Sequence, residues 1–218
     1  MSVFNTIIAF LLDLLFPRVC VGCGAMDTLL CSACQSSIII EPQTSSSTAV
    51  QSILIASDYQ QPLIQKIIKN FKYHNLPQLA EPLAQILIRV LDTQPNLPSY
   101  ILIPIPLHQK RQRQRGYNQS ELLAQRLSED YGWPIGENIR RIINTEHQAG
   151  LSREQRLKNL DNAFTYRGPS LKGKHILLVD DVVTTGTTIQ SAAEALLPAE
   201  PDSIWAIAVA RNREKDKS

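Results

Sequence analysis

The sequence predicts an α/β protein, with a small N-terminal module that carries four cysteines and a following domain built on a doubly wound parallel sheet. Three observations predict this architecture. Near-continuous apolar stretches at 52–57, 100–107, 175–179 and 203–210 have the composition of strands that are buried on both faces. Stretches with helical apolar periodicity separate these strands, and this alternation is typical of doubly wound sheets. All four cysteines lie between Cys20 and Cys34.

The chain has an ordinary size and composition for a globular protein. Its 218 residues, 44% hydrophobic and 19% charged, are enough for one α/β domain with a small appendage. The net charge of +2 is too small to indicate nucleic-acid binding by itself, so the local distribution of charge matters more. We expect residues 1–45 to form an N-terminal helix and the cysteine module, and residues 46–218 to form the sheet domain.

The chain opens with an apolar stretch, residues 3–16, which contains Asp13 and is followed by Pro17 and Arg18. It lacks the basic leader and the small-residue cleavage site of a signal peptide. It is also shorter than the roughly 20 residues that span a bilayer. The stretch predicts a short helix packed on its own protein, with contact to a membrane surface as the alternative. We therefore expect a cytoplasmic protein without a transmembrane segment.

The cysteines form two pairs, Cys20-x-x-Cys23 and Cys31-x-x-Cys34. Such pairs can place four thiolates around one tetrahedral Zn²⁺. Gly24 follows the first pair, where a tight metal-binding turn needs a permissive backbone. The alternatives are iron, two disulfides or free thiols, although a reducing cytosol disfavours disulfides. Because four protein ligands leave no open position, this zinc would be structural.

The remaining elements follow in order along the chain. Residues 41–51, rich in Ser, Thr, Gln and Pro, predict a linker. Two helices follow the strand at 52–57, and a third begins after the strand at 100–107, at the N-cap pair Asn118 and Glu121. A fourth lies between the last two strands. The predicted apolar stripes of the four helices are Leu63, Ile64, Ile67, Ile68 and Phe71; Leu79, Leu83, Ile86, Leu87 and Val90; Leu122, Leu123, Leu127 and Tyr131; and Ile189, Ala192, Ala193, Leu196 and Leu197.

Two adjacent carboxylates, Asp180 and Asp181, follow the strand at 175–179. They repel each other, so they need a partner such as a divalent cation or a set of ligand hydroxyls. The run from Thr184 to Thr188 supplies hydroxyls and the amides of a helix N-terminus, and Gly186 lets the backbone approach a ligand. The arrangement predicts a ligand with hydroxyls at one end and a phosphate at the other, such as ribose 5-phosphate. The alternative is an Asp-capped helix with a Thr-rich start.

A basic segment at 107–119 is the second candidate binding element. It carries Lys110, Arg111, Arg113 and Arg115, followed by Tyr117. We expect a loop beside the strand end that bears Asp180. Its cations can hold a pyrophosphate, or they can follow a nucleic-acid backbone while Tyr117 stacks on a base. A solvated basic loop without a function is the third interpretation.

The segment "ILLVDDVVTTGTT" (176–188) resembles the phosphoribosyl-pyrophosphate loop of type I phosphoribosyltransferases. The resemblance implies that Asp180 and Asp181 bind the ribose hydroxyls, with Mg²⁺ nearby. It also implies that the 5-phosphate is bound by Thr184, Thr185, Gly186, Thr187 and Thr188. The purine-salvage branch of that family has an Asp where this chain has Thr184, which argues against a purine-salvage activity. No catalytic residue is assigned.

A wider set of segments resembles the ComF family of competence-related proteins. These segments are "LLDLLFPRVCVGCG", "IKNFKYHN", "PIPLHQKRQRQRGYNQSELLA", "TEHQAGLSREQRLKNLDNAF" and the loop above, and they cover nearly the whole chain. The resemblance implies a zinc module joined to a phosphoribosyltransferase-like domain, and a role in the uptake of single-stranded DNA. It also implies that residues 145–164, with His147, Arg153, Arg156 and Lys158, form a flexible hood over the site.

Two functional hypotheses follow. The first is a protein for the handling and uptake of single-stranded DNA in natural transformation, which binds phosphoribosyl pyrophosphate and docks proteins of the uptake machinery. The second is an active phosphoribosyltransferase that transfers ribose 5-phosphate to an unidentified acceptor. A third option is a ligand sensor whose zinc module reports binding to a partner.

Overall fold

The computed structural model describes residues 18–142 and 163–213. The predicted N-terminal helix and residues 145–162 of the predicted hood, including His147, lie outside the described residues. Within the described residues, no helix is both long enough and apolar enough to cross a membrane.

The described part of the chain contains seven strands in two sheets. The central sheet has the order β1-β2-β7-β6-β3, in which β2, β7, β6 and β3 run parallel and β1 pairs antiparallel at the edge. A separate antiparallel pair is formed by β4 and β5. In chain order the strands are β1 (Gln43–Ser45), β2 (Ser52–Asp58), β3 (Tyr100–Pro104), β4 (Ile139–Arg141), β5 (Phe164–Tyr166), β6 (His175–Val183) and β7 (Ser203–Arg211).

Six α-helices are present in the same described ranges. They are α1 (Ser32–Ser36), α2 (Pro62–Tyr73), α3 (Ala80–Leu91), α4 (Gln109–Arg115), α5 (Gln119–Tyr131) and α6 (Thr187–Glu194). Short 3₁₀ turns lie at Pro77–Leu79 and Leu197–Ala199. The N-cap of α5 is as predicted, because the Asn118 side chain accepts from the Ser120 amide at 3.1 Å and donates to Glu121 at 3.1 Å.

Helices cover both faces of the sheet, which confirms the doubly wound architecture. Side chains alternate along each strand, so β6 points Leu177 to one face and Ile176 to the other. Leu177 lies in a core with side chains of α2, α3 and α5. Ile176 lies in a second core with Ile189 of α6 and Phe164 of β5.

The cysteine module packs on the first of these cores. Val21 and Ile38, both 7% exposed, are buried among the side chains of α2 and α3. The Gln61 side chain also joins the module to the start of α2, because it donates to the Ile39 carbonyl at 2.7 Å and accepts from the Ile39 amide at 3.0 Å. The division of the chain at residue 45 stays a prediction.

Four sequence-based expectations were wrong in detail. Residues 41–51 are not only a linker, because they contain β1. The basic segment is not a loop, because Gln109–Arg115 form a helix without a buried residue, and a periodicity argument needs an apolar stripe. The strand at 100–107 ends at Pro104. Leu197 is 49% exposed, because α6 stops at Glu194 and a 3₁₀ turn follows.

Candidate functional site

The two acidic residues lie within β6, beyond the end of its neighbour β3. The pairing of β3 with β6 stops at Pro104 and Val179, whereas β6 continues beside β7 as far as Val183. The prediction that the strand ends before Asp180 was therefore wrong, since β6 runs four residues further. Asp180 and Asp181 still lie at the carboxyl end of the parallel strands, in the part of β6 that extends beyond its pairing with β3.

Each acidic side chain has a partner from a different helix. The Lys72 ammonium of α2 lies 2.8 Å from Oδ1 of Asp181, and both side chains are largely buried, with 18% and 8% exposed. The buried Ser120 of α5 donates its hydroxyl to Oδ1 of Asp180 at 3.2 Å. The same oxygen accepts from the Asp181 amide at 2.9 Å.

Burial and mutual repulsion set the charge of this acid pair. Burial and the neighbouring Asp181 raise the pKa of Asp180 to about 7, although Lys72 and the two hydrogen bonds act in the opposite direction. Burial disfavours the charged form of Lys72, but Asp181 outweighs it and raises the pKa of Lys72 above its ordinary value. Near neutral pH the site therefore has a charged lysine, a paired Asp181 and an Asp180 that can lose or gain a proton.

The threonine run forms the turn between β6 and α6. Gly186 has φ of +85°, in the left-handed region that favours glycine, and the next residue begins α6. The hydroxyls of Thr185 and Thr187 lie 2.5 Å apart. Thr184–Thr187 line a cavity of about 760 Å³ together with Ser45–Thr48 and Arg211. Hydroxyls and helix-start amides are suitable donors to a phosphate.

A basic pocket of about 540 Å³ adjoins the acid pair. It is lined by Lys72 and Tyr73 of α2 and by Arg111, Arg113 and Arg115 of α4. Lys72 therefore contacts the acid pair and also lines the basic pocket. The exposed Lys110 does not line this pocket.

Two arginines near the acid pair, Arg111 and Arg141, have lowered pKa values. Burial and the neighbouring Arg141 and Arg115 lower the pKa of Arg111, while Asp181 acts in the opposite direction. Burial also lowers the pKa of Arg141 of β4, against the attraction of Asp180. Both guanidinium groups are therefore close enough to the acid pair to interact with it electrostatically.

The exposed aromatic side chain of the pocket is Tyr73, not the expected Tyr117. Tyr117 is partly buried, its hydroxyl donates to the Phe71 carbonyl, and its ring lies 5.8 Å from the Phe71 ring. Tyr73 is 67% exposed, with the Arg115 guanidinium 5.1 Å from its ring centre. Sequence reasoning missed Tyr73 and Lys72 as site residues, although both lie in the segment "IKNFKYHN".

The four cysteines come together as the sequence predicts. Their sulfur atoms all lie within 4.8 Å of one another, and those of Cys23 and Cys31 are 3.7 Å apart. Zn–S bonds of about 2.3 Å in a tetrahedron place sulfurs roughly 3.8 Å apart, so the cluster fits a structural zinc. Gly24, with φ of +80°, makes the tight turn after Cys23.

The backbone prepares one of these thiols for metal binding. Burial opposes ionisation of Cys20, but hydrogen bonds from the backbone of Cys31, Cys23 and Gly22 outweigh it and lower the pKa of Cys20 to about 6. A thiolate is the form that binds a metal. The close packing extends to Gly22, where an added Cβ would lie 2.5 Å from the Cys34 sulfur.

Comparison with known proteins assigns the chain to a family. The family model of the phosphoribosyl transferase domain matches residues 76–218. Competence protein F of Haemophilus influenzae is 34% identical over 203 residues, which cover 88% of this chain and 85% of that protein. The chain belongs to the ComF family. The predicted family and the predicted combination of a four-cysteine cluster with a phosphoribosyltransferase-like α/β fold are both confirmed.

Other ComF-family relatives have names that refer to competence or to DNA. The DNA utilization protein YhgH of Salmonella typhimurium is 36% identical over 154 residues, 67% of this chain and 66% of that protein. Competence protein ComFC of Bacillus subtilis is 38% identical over 98 residues, 45% of this chain and 38% of that protein.

Proposed function

We propose that this ComF-family protein handles single-stranded DNA during natural transformation and binds phosphoribosyl pyrophosphate at the carboxyl end of its sheet. One observation carries the proposal: Lys72 joins the acid pair of β6 to the basic pocket, and the threonine turn follows the acid pair directly at the end of the same strand. The names of the relatives, which refer to competence and to DNA utilization, give the biological context.

The parts of the ligand correspond to the parts of the site. Carboxylates accept hydrogen bonds, so Asp180 and Asp181 suit the ribose hydroxyls. The amides and hydroxyls from Thr184 to Thr188 suit the 5-phosphate. Lys72 and the α4 arginines Arg111, Arg113 and Arg115 suit the pyrophosphate, because charge-assisted hydrogen bonds to phosphate are strong.

The acid pair should also discriminate between phosphoribosyl pyrophosphate and DNA. An internal deoxynucleotide has no 2′-hydroxyl, and its 3′-oxygen is esterified, so it offers no hydroxyl to Asp180 or Asp181. Single-stranded DNA therefore suits the outer surface of the basic pocket, where Arg113 and Arg115 meet the phosphates and Tyr73 stacks on a base.

A binding experiment tests the proposal. Calorimetry measures the affinity of the protein for phosphoribosyl pyrophosphate and for ribose 5-phosphate before and after Asp180→Asn. Asp180 is the better position because Asp181→Asn would leave Lys72 without its partner. We expect a loss of about tenfold for both ligands, since the Asn side chain replaces one acceptor oxygen by a donor. Unchanged affinity would show that the sugar binds elsewhere.

An active phosphoribosyltransferase is the second candidate, and the position of the cations favours it. An oxocarbenium-like ribose would form near the carboxylates, while Lys72 and the arginines hold the departing pyrophosphate. The test is release of pyrophosphate from phosphoribosyl pyrophosphate across a panel of bases and amines. Tight binding of phosphoribosyl pyrophosphate without turnover with any acceptor would mean that the protein only binds this ligand.

A further inference from the structure

The acid pair lies among cationic side chains from three separate elements. Lys72 comes from α2, Arg111 and Arg115 from α4, and Arg141 from β4. Lys72 contacts Asp181 directly at 2.8 Å. Arg111 interacts electrostatically with Asp181, Arg141 with Asp180, and Arg115 with Lys72. The positive groups around the two carboxylates therefore outnumber the negative ones.

This arrangement is unfavourable for a divalent cation. Mg²⁺ requires near-octahedral oxygen coordination and is bound through carboxylates and ligand phosphates. Oδ1 of Asp181 is already bonded to the Lys72 ammonium, and Oδ1 of Asp180 already accepts hydrogen bonds from Ser120 and from the Asp181 amide. An ion bound at Oδ1 of Asp181 would have to displace a largely buried lysine, and an ion anywhere at the pair would be repelled by the guanidinium groups.

Lys72 itself meets the requirements for the ion's role. Its ammonium has three donors, of which the Asp181 contact uses one. The same side chain lines the basic pocket, where the pyrophosphate of the proposed ligand would lie. One lysine can thus neutralise the acid pair and hold a pyrophosphate oxygen at the same time, as a bridging metal would.

We propose that Lys72, supported by Arg111 and Arg141, takes the place of Mg²⁺ at the acid pair, so that this protein binds phosphoribosyl pyrophosphate without a divalent metal. The inference rests on the proposed function, because it needs that ligand in that pocket. It departs from the magnesium site that the resemblance to phosphoribosyltransferases implies. Lys72 is then a ligand-binding residue that also neutralises Asp181.

Calorimetry with phosphoribosyl pyrophosphate, once in excess EDTA and once in excess MgCl₂, tests the inference on the unmodified full chain. We expect the two affinities to agree within about threefold, because the protein supplies the positive charge itself. Lys72→Met should bind about tenfold or more weakly in EDTA, and MgCl₂ should restore part of the loss. The matched control is Lys69→Met on the same helix, whose exposed ammonium donates to Gln65 at 3.0 Å; it should behave as the parent protein.

The outcomes separate this inference from the proposed function. Binding by the parent protein only when MgCl₂ is present would overturn the role of Lys72 and leave the proposed function standing. A Lys72→Met variant with the same affinity in EDTA as the parent would overturn it as well. Absence of binding under both conditions would overturn the proposed function together with the inference. The comparison of EDTA with MgCl₂ on the parent protein remains decisive if Lys72→Met fails to fold.

Discussion

The Lys72 ammonium of α2 and the Asp181 carboxylate of β6 form an ion pair at 2.8 Å, although the two residues lie on elements far apart in the sequence. The pair attaches the last turn of α2 to the end of β6. Both side chains are largely buried, so removal of one partner leaves the other charge with little solvent to stabilise it.

We therefore expect Lys72→Met to lower the free energy of unfolding by about 3 kcal/mol, because Asp181 would be left buried and unpaired. Urea denaturation at pH 7 measures the change. The double variant Lys72→Met/Asp181→Leu should recover most of the loss, since an apolar pair needs no compensation. A double variant as unstable as the sum of two singles would contradict the direct coupling of the pair.

Asp180 should make stability depend on pH. Its folded-state pKa of about 7 lies above its ordinary value of 3.8, so the folded protein holds this proton more tightly than the unfolded chain. Protonated Asp180 therefore stabilises the folded state at acidic pH, and this stabilisation is lost as the pH rises toward 7. Asn imitates the protonated carboxyl, so Asp180→Asn should be more stable than the parent at pH 8 by roughly 1–3 kcal/mol, and similar to it near pH 4. Urea denaturation of both proteins between pH 4 and pH 8 measures the free energies of unfolding. The same pH dependence in the parent and in the variant would refute the prediction.

The cysteine cluster should hold one zinc ion per chain. Gly22→Ala should reduce the zinc content, because its Cβ would lie 2.5 Å from the Cys34 sulfur and push that ligand out of place. Metal analysis of the purified proteins measures the ratio of zinc to protein. The control is Ser36→Ala, which lies in α1 of the same module and carries no metal-ligand atom. Full zinc occupancy in Gly22→Ala would mean that the close contact relaxes at no cost.

Tyr73 should contribute to the binding of single-stranded DNA. Tyr73→Ala should weaken binding of an oligonucleotide by about 1–3 kcal/mol, because an exposed ring that stacks on a base is lost. Tyr73→Phe keeps the ring and should retain most of the affinity. Fluorescence anisotropy of a labelled oligonucleotide measures both. Equal weakening by the two substitutions would exclude stacking as the cause.

The α4 arginines should act through phosphate contacts. Arg113→Ala and Arg115→Ala should each lower the dependence of log Kd on log salt concentration by about one unit or less. Tyr73→Ala should leave this slope unchanged, which separates stacking from charge. The same anisotropy titrations, repeated at several salt concentrations, supply the slopes. A parent protein whose affinity ignores salt would contradict the assignment of α4 to DNA.

The sequence was most informative where the signal is local. The four cysteines, the acid pair and the threonine turn each lie in one short stretch, so their proximity follows from the chain itself. Lys72 and Arg141 reach the acid pair only through tertiary packing, and no local pattern indicates that meeting. The basic helix α4 escaped prediction because it has no apolar stripe, and its N-cap comes from His108, whose ring nitrogen lies 3.3 Å from the Lys110 amide.

The sequence also did not reveal which of the two tyrosine side chains near the basic segment is exposed to solvent. Tyr73 and Tyr117 both flank basic residues, yet the fold turns one outward and binds the other to the Phe71 carbonyl.

The two hydrogen bonds between the Gln61 side chain and the Ile39 backbone link α2 to the cysteine module. That helix starts beside the cysteine module and carries, in its last turn, the lysine that pairs with Asp181. If the cluster holds zinc, we therefore expect a preparation that has lost part of it to bind more weakly at the proposed sugar site, although no residue of that site has changed. The metal content and the ligand affinity of this protein need to be measured on the same sample.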